Sequence, residues 1–157
     1  MSDSSKRPPV LAPDEKGIPV SLPALDDHLG TWVGTWTTFL ESEILFDDSP
    51  IEATVTAHGT TYTLEYSGSI GDDDVSGRLR WSVDGDAVDW VDSWHTMGVP
   101  ERLEGSPPSY RYDDGRGHLW TWDVEIVATA DTITIIHSNA GPGTPRYTGV
   151  LMRLMRN

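Results

Sequence analysis

Two ionisable side chains fall on strand faces that are otherwise apolar, and they are the residues best placed to do chemistry. Asp92 lies between Trp90 and Trp94 in a stretch of alternating polarity, and His137 follows Ile135 in another. Because side chains two apart share one face of a strand, both groups are expected to point inward with these neighbours. A buried carboxylate or imidazole is costly unless it is hydrogen-bonded or reaches solvent.

Two interpretations of this pair are open. In the first, Asp92 and His137 each satisfy a tyrosine, an indole N–H or a backbone group, and their role is structural. In the second, they meet the polar end of a ligand inside a cavity, where a shifted pKa would serve acid–base chemistry. For either residue alone the structural interpretation comes first, and the two interpretations have about equal weight if both residues line one cavity with Tyr62 or Tyr66.

Aromatic residues recur at even spacings along the chain. Six of the seven tryptophans form pairs two or four residues apart, namely Trp32 and Trp36, Trp90 and Trp94, Trp120 and Trp122. Bulky aromatics on one face of several strands predict an aromatic-lined interior, either a sandwich core or a barrel lumen. The predicted ligand-binding set is Trp36, Tyr66, Trp81, Trp90, Asp92, Trp94, Trp120, Trp122 and His137.

Other kinds of site find little support. The chain has no cysteine and no HxH, HExxH or EF-hand spacing, so neither a metal site nor a cofactor is expected. His95 is expected at an exposed strand end, where it remains a candidate for the cavity mouth. His58 and His118 lie next to turns and are predicted at the surface. No serine lies in a nucleophile elbow.

The chain is strongly acidic, with 25 Asp and Glu residues against 11 Lys and Arg residues and a net charge of −14. A field of that sign repels phosphate backbones and anionic lipids, so neither a nucleic-acid nor a membrane partner is expected. A small hydrophobic molecule is the expected partner. The segment 101–105, which precedes Pro107 and Pro108, is a candidate homodimer edge.

The first 22 residues differ from the rest in being polar and rich in proline. This composition predicts a flexible tail over 1–22, followed by a single domain over 23–157. Residues 1–16 have no apolar stretch of the kind found in signal peptides or spanning helices, so a cytoplasmic location is expected.

From residue 31 the polarity has a period of two, which predicts an all-β protein. A helical turn over 23–29 would place Leu25 and Leu29 against one end of the body. Nine strands are predicted, over 32–40, 51–57, 61–70, 75–83, 88–95, 101–105, 118–127, 132–137 and 147–155. Strands joined by short turns are typical of an up-and-down antiparallel barrel, here of about eight to ten strands, whereas a sandwich needs more long crossings.

The outward faces of these strands are polar. Arg78 is expected to pair across strands with Glu65, and Asp123 and Glu125 are expected to be solvated. A one-residue slip in register would turn this polar set inward, so the alternation specifies which face is buried.

The opening strand, Gly30-Thr31-Trp32-Val33-Gly34, resembles the Gly-x-Trp start of lipocalin-like and fatty-acid-binding-like barrels, the calycin group. In that group the tryptophan packs across the barrel base near an N-terminal helical turn, a position that Trp32 fits. The runs 91–98, 120–127 and 147–153 resemble more narrowly a bacterial family known only as a domain of unknown function with a lipocalin-like barrel. The resemblance implies a closed barrel with an internal cavity and transfers no activity.

The same opening is similar to that of the haem-binding nitrobindin barrels, whose iron is held by a histidine late in the chain. Residues 147–157 contain no histidine, and His137 is the nearest candidate on an inward face. This departure argues against haem, and none is expected.

Four functions are compatible with these patterns. The leading expectation is a binding protein for a small hydrophobic or aromatic molecule, oriented by Asp92 and His137. The second is an isomerase or cyclase of a hydrophobic substrate in the same cavity, with either residue as general acid or base. A carbohydrate-binding module would need its tryptophans on an outer, flat face. The fourth is a structural barrel with a filled core.

Overall fold

The segments of alternating polarity fold into ten antiparallel strands. The computed structural model describes residues 22–157, so the tail expected over 1–22 lies outside the described residues except for Leu22. One 3₁₀ turn, Asp26–His28, precedes the strands. The strands are β1 Gly30–Leu40, β2 Glu43–His58, β3 Thr61–Ile70, β4 Asp73–Ser82, β5 Ala87–Asp92, β6 Glu101–Glu104, β7 Ser109–Asp113, β8 Leu119–Ala128, β9 Thr132–Gly141 and β10 Thr144–Arg156.

The strands close into a barrel. Each strand pairs antiparallel with the next in sequence, and β1 pairs with β10. Trp32 lies opposite Arg156 at one end of this closing pair, and Thr38 lies opposite Val150 at the other. The predicted all-β fold, an up-and-down antiparallel barrel, is therefore confirmed. No helix within residues 22–157 has the length and apolar character needed to cross a membrane.

Several strand bounds differ from the prediction, among them those of β7, β2 and β5. The sequence missed β7 because its five residues follow two prolines, and β6 and β7 share only the pair Glu104–Ser109. Strand β2 begins at Glu43 rather than at residue 51, since the chain stays extended through the acidic stretch before Pro50. Strand β5 ends at Asp92 rather than at residue 95, which places the following residues in a loop.

One end of the barrel is closed by the 3₁₀ turn. Leu25, just before the turn, is completely buried (0% exposed), whereas Leu29, just after it, is 50% exposed. The expectation that both leucines face the body is therefore right for Leu25 and wrong for Leu29. The difference follows from the short turn, because the backbone is already extended at Leu29 on its way into β1.

Hydrogen bonds from barrel side chains hold this closed end in place. Three inward side chains donate to the turn or to the residues before it: Trp32 to the carbonyl of His28 at 2.8 Å, Trp81 to the carbonyl of Pro23 at 2.9 Å, and Tyr62 to the carboxylate of Asp26 at 2.8 Å. Each bond satisfies a polar tip that would otherwise be buried without a partner.

The main apolar core lies inside the barrel, and a smaller apolar cluster lies outside it. The outer cluster contains Phe39, Ile136 and Leu151, with Ile44 packed against it. Ile136 pairs with Leu151 across β9 and β10, next to inward-facing residues of both strands. The barrel wall therefore has apolar packing on both faces at β1, β9 and β10.

Candidate functional site

An aromatic stack lies inside the barrel, toward the end opposite the 3₁₀ turn. The rings of Trp90 on β5 and Trp122 on β8 are parallel within 1°, with centroids 5.6 Å apart. Strands β6 and β7 separate β5 from β8, so this contact spans the lumen. His137 on β9 stacks against both indoles, at 4.7 Å from Trp90 and 5.4 Å from Trp122.

One nitrogen of His137 is hydrogen-bonded and the other is not. The indole Nε1–H of Trp122 donates to His137 Nδ1 at 3.0 Å. In a neutral imidazole whose Nδ1 accepts, the proton is on Nε2. This Nε2–H is buried and has no hydrogen-bond partner. His137 therefore presents an unused donor inside the barrel.

His137 stays neutral at physiological pH. Burial, helped by the charge of His95 and opposed by that of Asp92, lowers the pKa of His137 from 6.5 to about 3. A neutral ring in this tautomer donates from Nε2 and has no lone pair there, so it does not present a ligand to an iron atom at that nitrogen.

Asp92 is the centre of the loop that follows β5. Its carboxylate accepts from the backbone N–H of Thr96 at 2.6 Å and of Trp94 at 3.2 Å. Its other oxygen lies 2.9 Å from Nδ1 of His95. Burial works against ionisation, but the His95 contact and the Thr96 bond outweigh it and lower the pKa of Asp92. This buried carboxylate is thus ionised and fixes the shape of residues 93–96.

His95 is the functional candidate that sequence reasoning undervalued. Its side chain is 24% exposed and lies over the aromatic stack, with ring centroids 5.0 Å from Trp122 and 5.9 Å from Trp90. The signal was present, since an aspartate three residues earlier suits a carboxylate–imidazole pair across a turn. The predicted strand ran to residue 95 and so placed His95 on the face opposite Asp92. In the structure β5 ends at Asp92, and His95 lies in the following loop.

Tyr66 and Trp36 extend the buried group toward β1. Trp90 donates through Nε1 to the hydroxyl of Tyr66 at 3.1 Å, and the ring of Tyr66 meets Trp36 edge to face. Trp36 in turn donates to the carbonyl of Ser69 at 3.0 Å. Burial and then the charge of Asp92 raise the pKa of Tyr66, so its hydroxyl keeps its proton.

Three predicted site residues lie elsewhere than expected or at the edge of the group. Trp94 is in the loop after β5, half-buried between the rings of His95 and Phe46. Trp81 is buried, but it binds Pro23 at the closed end. Trp120 lies half-buried at the end of the barrel away from the 3₁₀ turn, where its indole donates to Asp114.

The structure thus brings together six of the nine predicted residues around the stack. They are Trp36, Tyr66, Trp90, Asp92, Trp122 and His137, with Trp94 touching the group through His95. Trp81 is separated from the group because it lies four residues along β4 from Gly77, the partner of Asp92, in the direction of the closed end. Trp120 precedes the buried part of β8 and reaches only the rim.

Exposed apolar side chains occur at this end of the barrel, beside the acidic residues of its turns. Six large apolar side chains are exposed where β1, β2, β5, β6 and β8 reach this end, namely Leu40, Leu45, Phe46, Met97, Val99 and Leu119. Met97 is the most exposed at 79%. Phe46 connects the rim to the interior through its edge-to-face contact with Trp94.

Clefts are present on the outside of the barrel. Two of them, of 540 Å³ and 670 Å³, adjoin on the outer face of β2 to β5 and share Glu52, Ser67, Ser76 and Ser93. Their walls include outward-facing charged and hydroxyl side chains such as Glu52 and Ser67. No three His, Asp or Glu side chains within residues 22–157 are grouped closely enough to hold a metal ion.

Asp123 and Glu125 correct a further expectation, because they are buried rather than solvated. They face away from the lumen and are bound by Arg146 of β10, which donates to both oxygens of Asp123 at 3.0 and 3.1 Å and also to Glu125. Burial lowers the pKa of Arg146, but these bonds outweigh it and raise the pKa overall. The cluster of Asp123, Glu125 and Arg146 is therefore part of the outer wall of the barrel.

Fold and site together define a closed ten-stranded antiparallel β-barrel with an aromatic–histidine group inside one end. No family model matches the chain, and no curated protein matches it. Among solved structures, the chain is similar to Rv2717c from M. tuberculosis, at 12% identity and a TM-score of 0.42, covering 87% of this chain and 99% of that one. A likeness at this level assigns neither ligand nor activity.

Proposed function

We propose that this protein binds a small, uncharged, largely apolar molecule that carries a hydrogen-bond acceptor. The acceptor binds Nε2–H of His137, and the apolar body lies against Trp90 and Trp122. The observation that carries the proposal is the buried Nε2–H without a partner. Leaving a buried donor unpaired costs about 1–3 kcal/mol, and a guest with a carbonyl oxygen would supply the missing bond.

The charges around His137 favour a neutral guest. His137 itself carries no positive charge at neutral pH, and the ionised carboxylate of Asp92 is close enough to influence its pKa. A carboxylate or phosphate ester would therefore meet repulsion without a counter-charge. A ketone, ester or amide offers the same acceptor oxygen without that cost.

The loop after β5 is the proposed entrance. His95 lies over the stack and is partly exposed, so its displacement opens a path to His137. Two exposed apolar side chains at this end support this direction of entry, since Phe46 and Met97 would contact a hydrophobic guest before it enters. The proposal includes an internal cavity of the kind that is typical of lipocalin-like barrels.

The test compares three molecules of matched shape by isothermal titration calorimetry. Phenylacetone carries a carbonyl, isobutylbenzene replaces the oxygen with a methyl group, and phenylacetate carries a charge. We expect phenylacetone to bind about fivefold or more tightly than the hydrocarbon, the effect of one hydrogen bond of about 1 kcal/mol. Phenylacetate is expected to bind most weakly, and binding should shift the tryptophan fluorescence.

The matched variant is His137→Phe, which keeps an aromatic ring and removes the donor. It is expected to bind phenylacetone and isobutylbenzene equally. Binding of none of the three probes, with no change in fluorescence, would support the structural barrel with a filled core and overturn the proposal. An unchanged preference for the ketone in the variant would overturn the assignment to His137.

Two expectations about the whole protein remain proposals beside this one. The homodimer edge over 101–105 is tested by light scattering on the protein as it elutes from a size-exclusion column. A monomer mass would refute it. The cytoplasmic location is tested by cell fractionation.

A further inference from the structure

The two histidines of the site present opposite hydrogen-bonding groups. His137 offers a proton from Nε2 and accepts at Nδ1. His95 donates from Nδ1 to the carboxylate of Asp92, so that its neutral ring has a lone pair on Nε2. A carboxylate–imidazole pair of this kind orients the ring and stabilises its protonated form, as in general-base catalysis.

Both imidazoles contact the same two indoles. His95 lies 5.0 Å and His137 5.4 Å from Trp122, between ring centroids, and both also contact Trp90. A guest held on the stack would therefore have a proton donor and a proton acceptor within reach of its polar end. His95 is the member that solvent reaches, since its side chain is 24% exposed while His137 is buried.

We propose that the site catalyses proton transfer at the carbon next to a carbonyl group, with His95 as base and His137 as the donor to the carbonyl oxygen. This inference rests on the proposed function, because it uses the same bound ketone. The substrate class is a small apolar ketone with a hydrogen on that carbon. The reaction class is isomerisation by a double-bond shift or inversion at that carbon.

The step balances without a co-reactant. His95 Nε2 takes the proton from the carbon, and the C–H electron pair forms a carbon–carbon double bond to the carbonyl carbon. The carbonyl π pair moves to oxygen, which becomes an enolate held by the hydrogen bond from His137. Protonated His95, stabilised by Asp92, then returns the proton to the same carbon or to the far end of a conjugated system.

A neutral imidazole suits the donor role. Stabilisation of developing negative charge by a pre-placed donor in a water-poor site is a large catalytic term, and neutral histidine serves as such an electrophile in enolisation. His137 is positioned for this before any guest binds, since Trp122 fixes its ring and tautomer.

The experiment follows exchange of the phenylacetone CH₂ and CH₃ hydrogens for deuterium in D₂O by proton NMR. Wild-type protein is expected to accelerate exchange over buffer. His95→Gln is expected to lose a factor of about 100 in rate, the usual effect of removing a general base, while phenylacetone still binds by calorimetry. His95→Asn serves as a second variant, and the circular-dichroism melting curve checks that each remains folded.

The matched control is His118→Gln. His118 also faces a carboxylate, Asp114 at 3.4 Å, but its side chain is 61% exposed and it contacts none of the stack. Its replacement is expected to leave the rate unchanged. Exchange that persists in both His95 variants, or that falls equally in the His118 variant, overturns the proposal.

The two proposals fail in distinguishable ways. Binding of phenylacetone without accelerated exchange refutes the catalytic inference and leaves the binding function standing. Absence of binding refutes both.

Discussion

His137 illustrates how one residue couples stability to pH. In the unfolded chain its imidazole takes up a proton near pH 6.5, but inside the barrel only near pH 3. Between these values the unfolded state binds more protons than the folded state. The contribution of neutral His137 is therefore complete above pH 6.5 and is lost as the pH falls toward 3.

We predict that the free energy of unfolding falls with decreasing pH more steeply in the wild type than in His137→Phe. The difference in slope approaches about 1.4 kcal/mol per pH unit between the two pKa values. Urea denaturation from about pH 6.5 down to about pH 4.5 measures it, above the range where most carboxylates titrate. Replacement of exposed His118 by Phe is the control, and parallel curves for wild type and His137→Phe would contradict the prediction.

At this scale the sequence predicted which face each side chain occupies better than which partner it meets. Asp92 and His137 both point inward, as their spacing from Trp90 and Ile135 indicates. The bond between Trp122 and His137 depends on how β8 and β9 are staggered, which no local pattern specifies. The bond between Asp92 and His95 depends on where β5 ends, because in a continued strand the two would face opposite ways.

At the scale of elements, a glycine on β4 makes room for an aromatic ring of β3 inside the barrel. Gly77 of β4 lies opposite Tyr66 on β3 and Asp92 on β5. The ring of Tyr66 covers Gly77, and a Cβ there would overlap it. The tyrosine that accepts the Trp90 hydrogen bond is thus positioned by the absence of a side chain on its neighbour.

We predict that Gly77→Ala displaces the Tyr66 ring and destabilises the protein by about 1–3 kcal/mol, the usual cost of an overpacked core. Tryptophan fluorescence should change as well, because Trp90 loses its acceptor. Gly85→Ala is the control, since a Cβ there meets only ordinary contacts at 4.0 Å. Equal stability of the two variants, measured by urea denaturation, would refute the overlap.

The closed end offers a second comparison at this scale. Leu25 and Leu29 flank the same 3₁₀ turn, but only Leu25 is buried. Leu25→Ala is expected to cost about 2–5 kcal/mol through lost burial and a cavity, and Leu29→Ala less than about 0.5 kcal/mol. Thermal and urea unfolding measure both, and a large effect at Leu29 would show that it packs against the barrel.

Strands with strong alternation were predicted well, and short or interrupted ones were not. Arg78 on β4 lies directly opposite Glu65 on β3, which confirms the predicted register of these two strands. Strand β7 carries only five residues and is held mainly by β8, so its pairing depends on long-range contacts rather than on its own pattern. The solvated state expected for Asp123 and Glu125 failed for a similar reason, since Arg146 comes from a distant part of the chain.

The whole molecule carries a net charge of −14, part of it at turns and strand ends such as Asp72–Asp74, which are exposed. Repulsion among like charges destabilises a compact state, and salt screens it over about 10 Å at about 0.1 M. We predict that the melting temperature rises on going from about 0.01 to about 0.3 M NaCl. KCl at equal ionic strength should act identically in calorimetry, whereas a salt-independent melting temperature would contradict the prediction.

The overall topology was within reach of the sequence because period-two polarity and short turns leave few alternatives. A closed barrel was expected, but the register of its closing pair, β1 with β10, depends on long-range contacts that no local pattern specifies. Arg156 lies over the ring of Trp32 at 4.8 Å and donates to the carbonyl of Ala130, at the end of that pairing.

This closure has a consequence for the nascent chain. Strand β1 leaves the ribosome first and its partner β10 leaves last, so one edge of β1 remains open through the synthesis of the eight strands between them. Open strand edges recruit other chains. The interval before β10 emerges is therefore when this protein is most exposed to mispairing on polysomes, and slowing translation ahead of residue 144 would lengthen it.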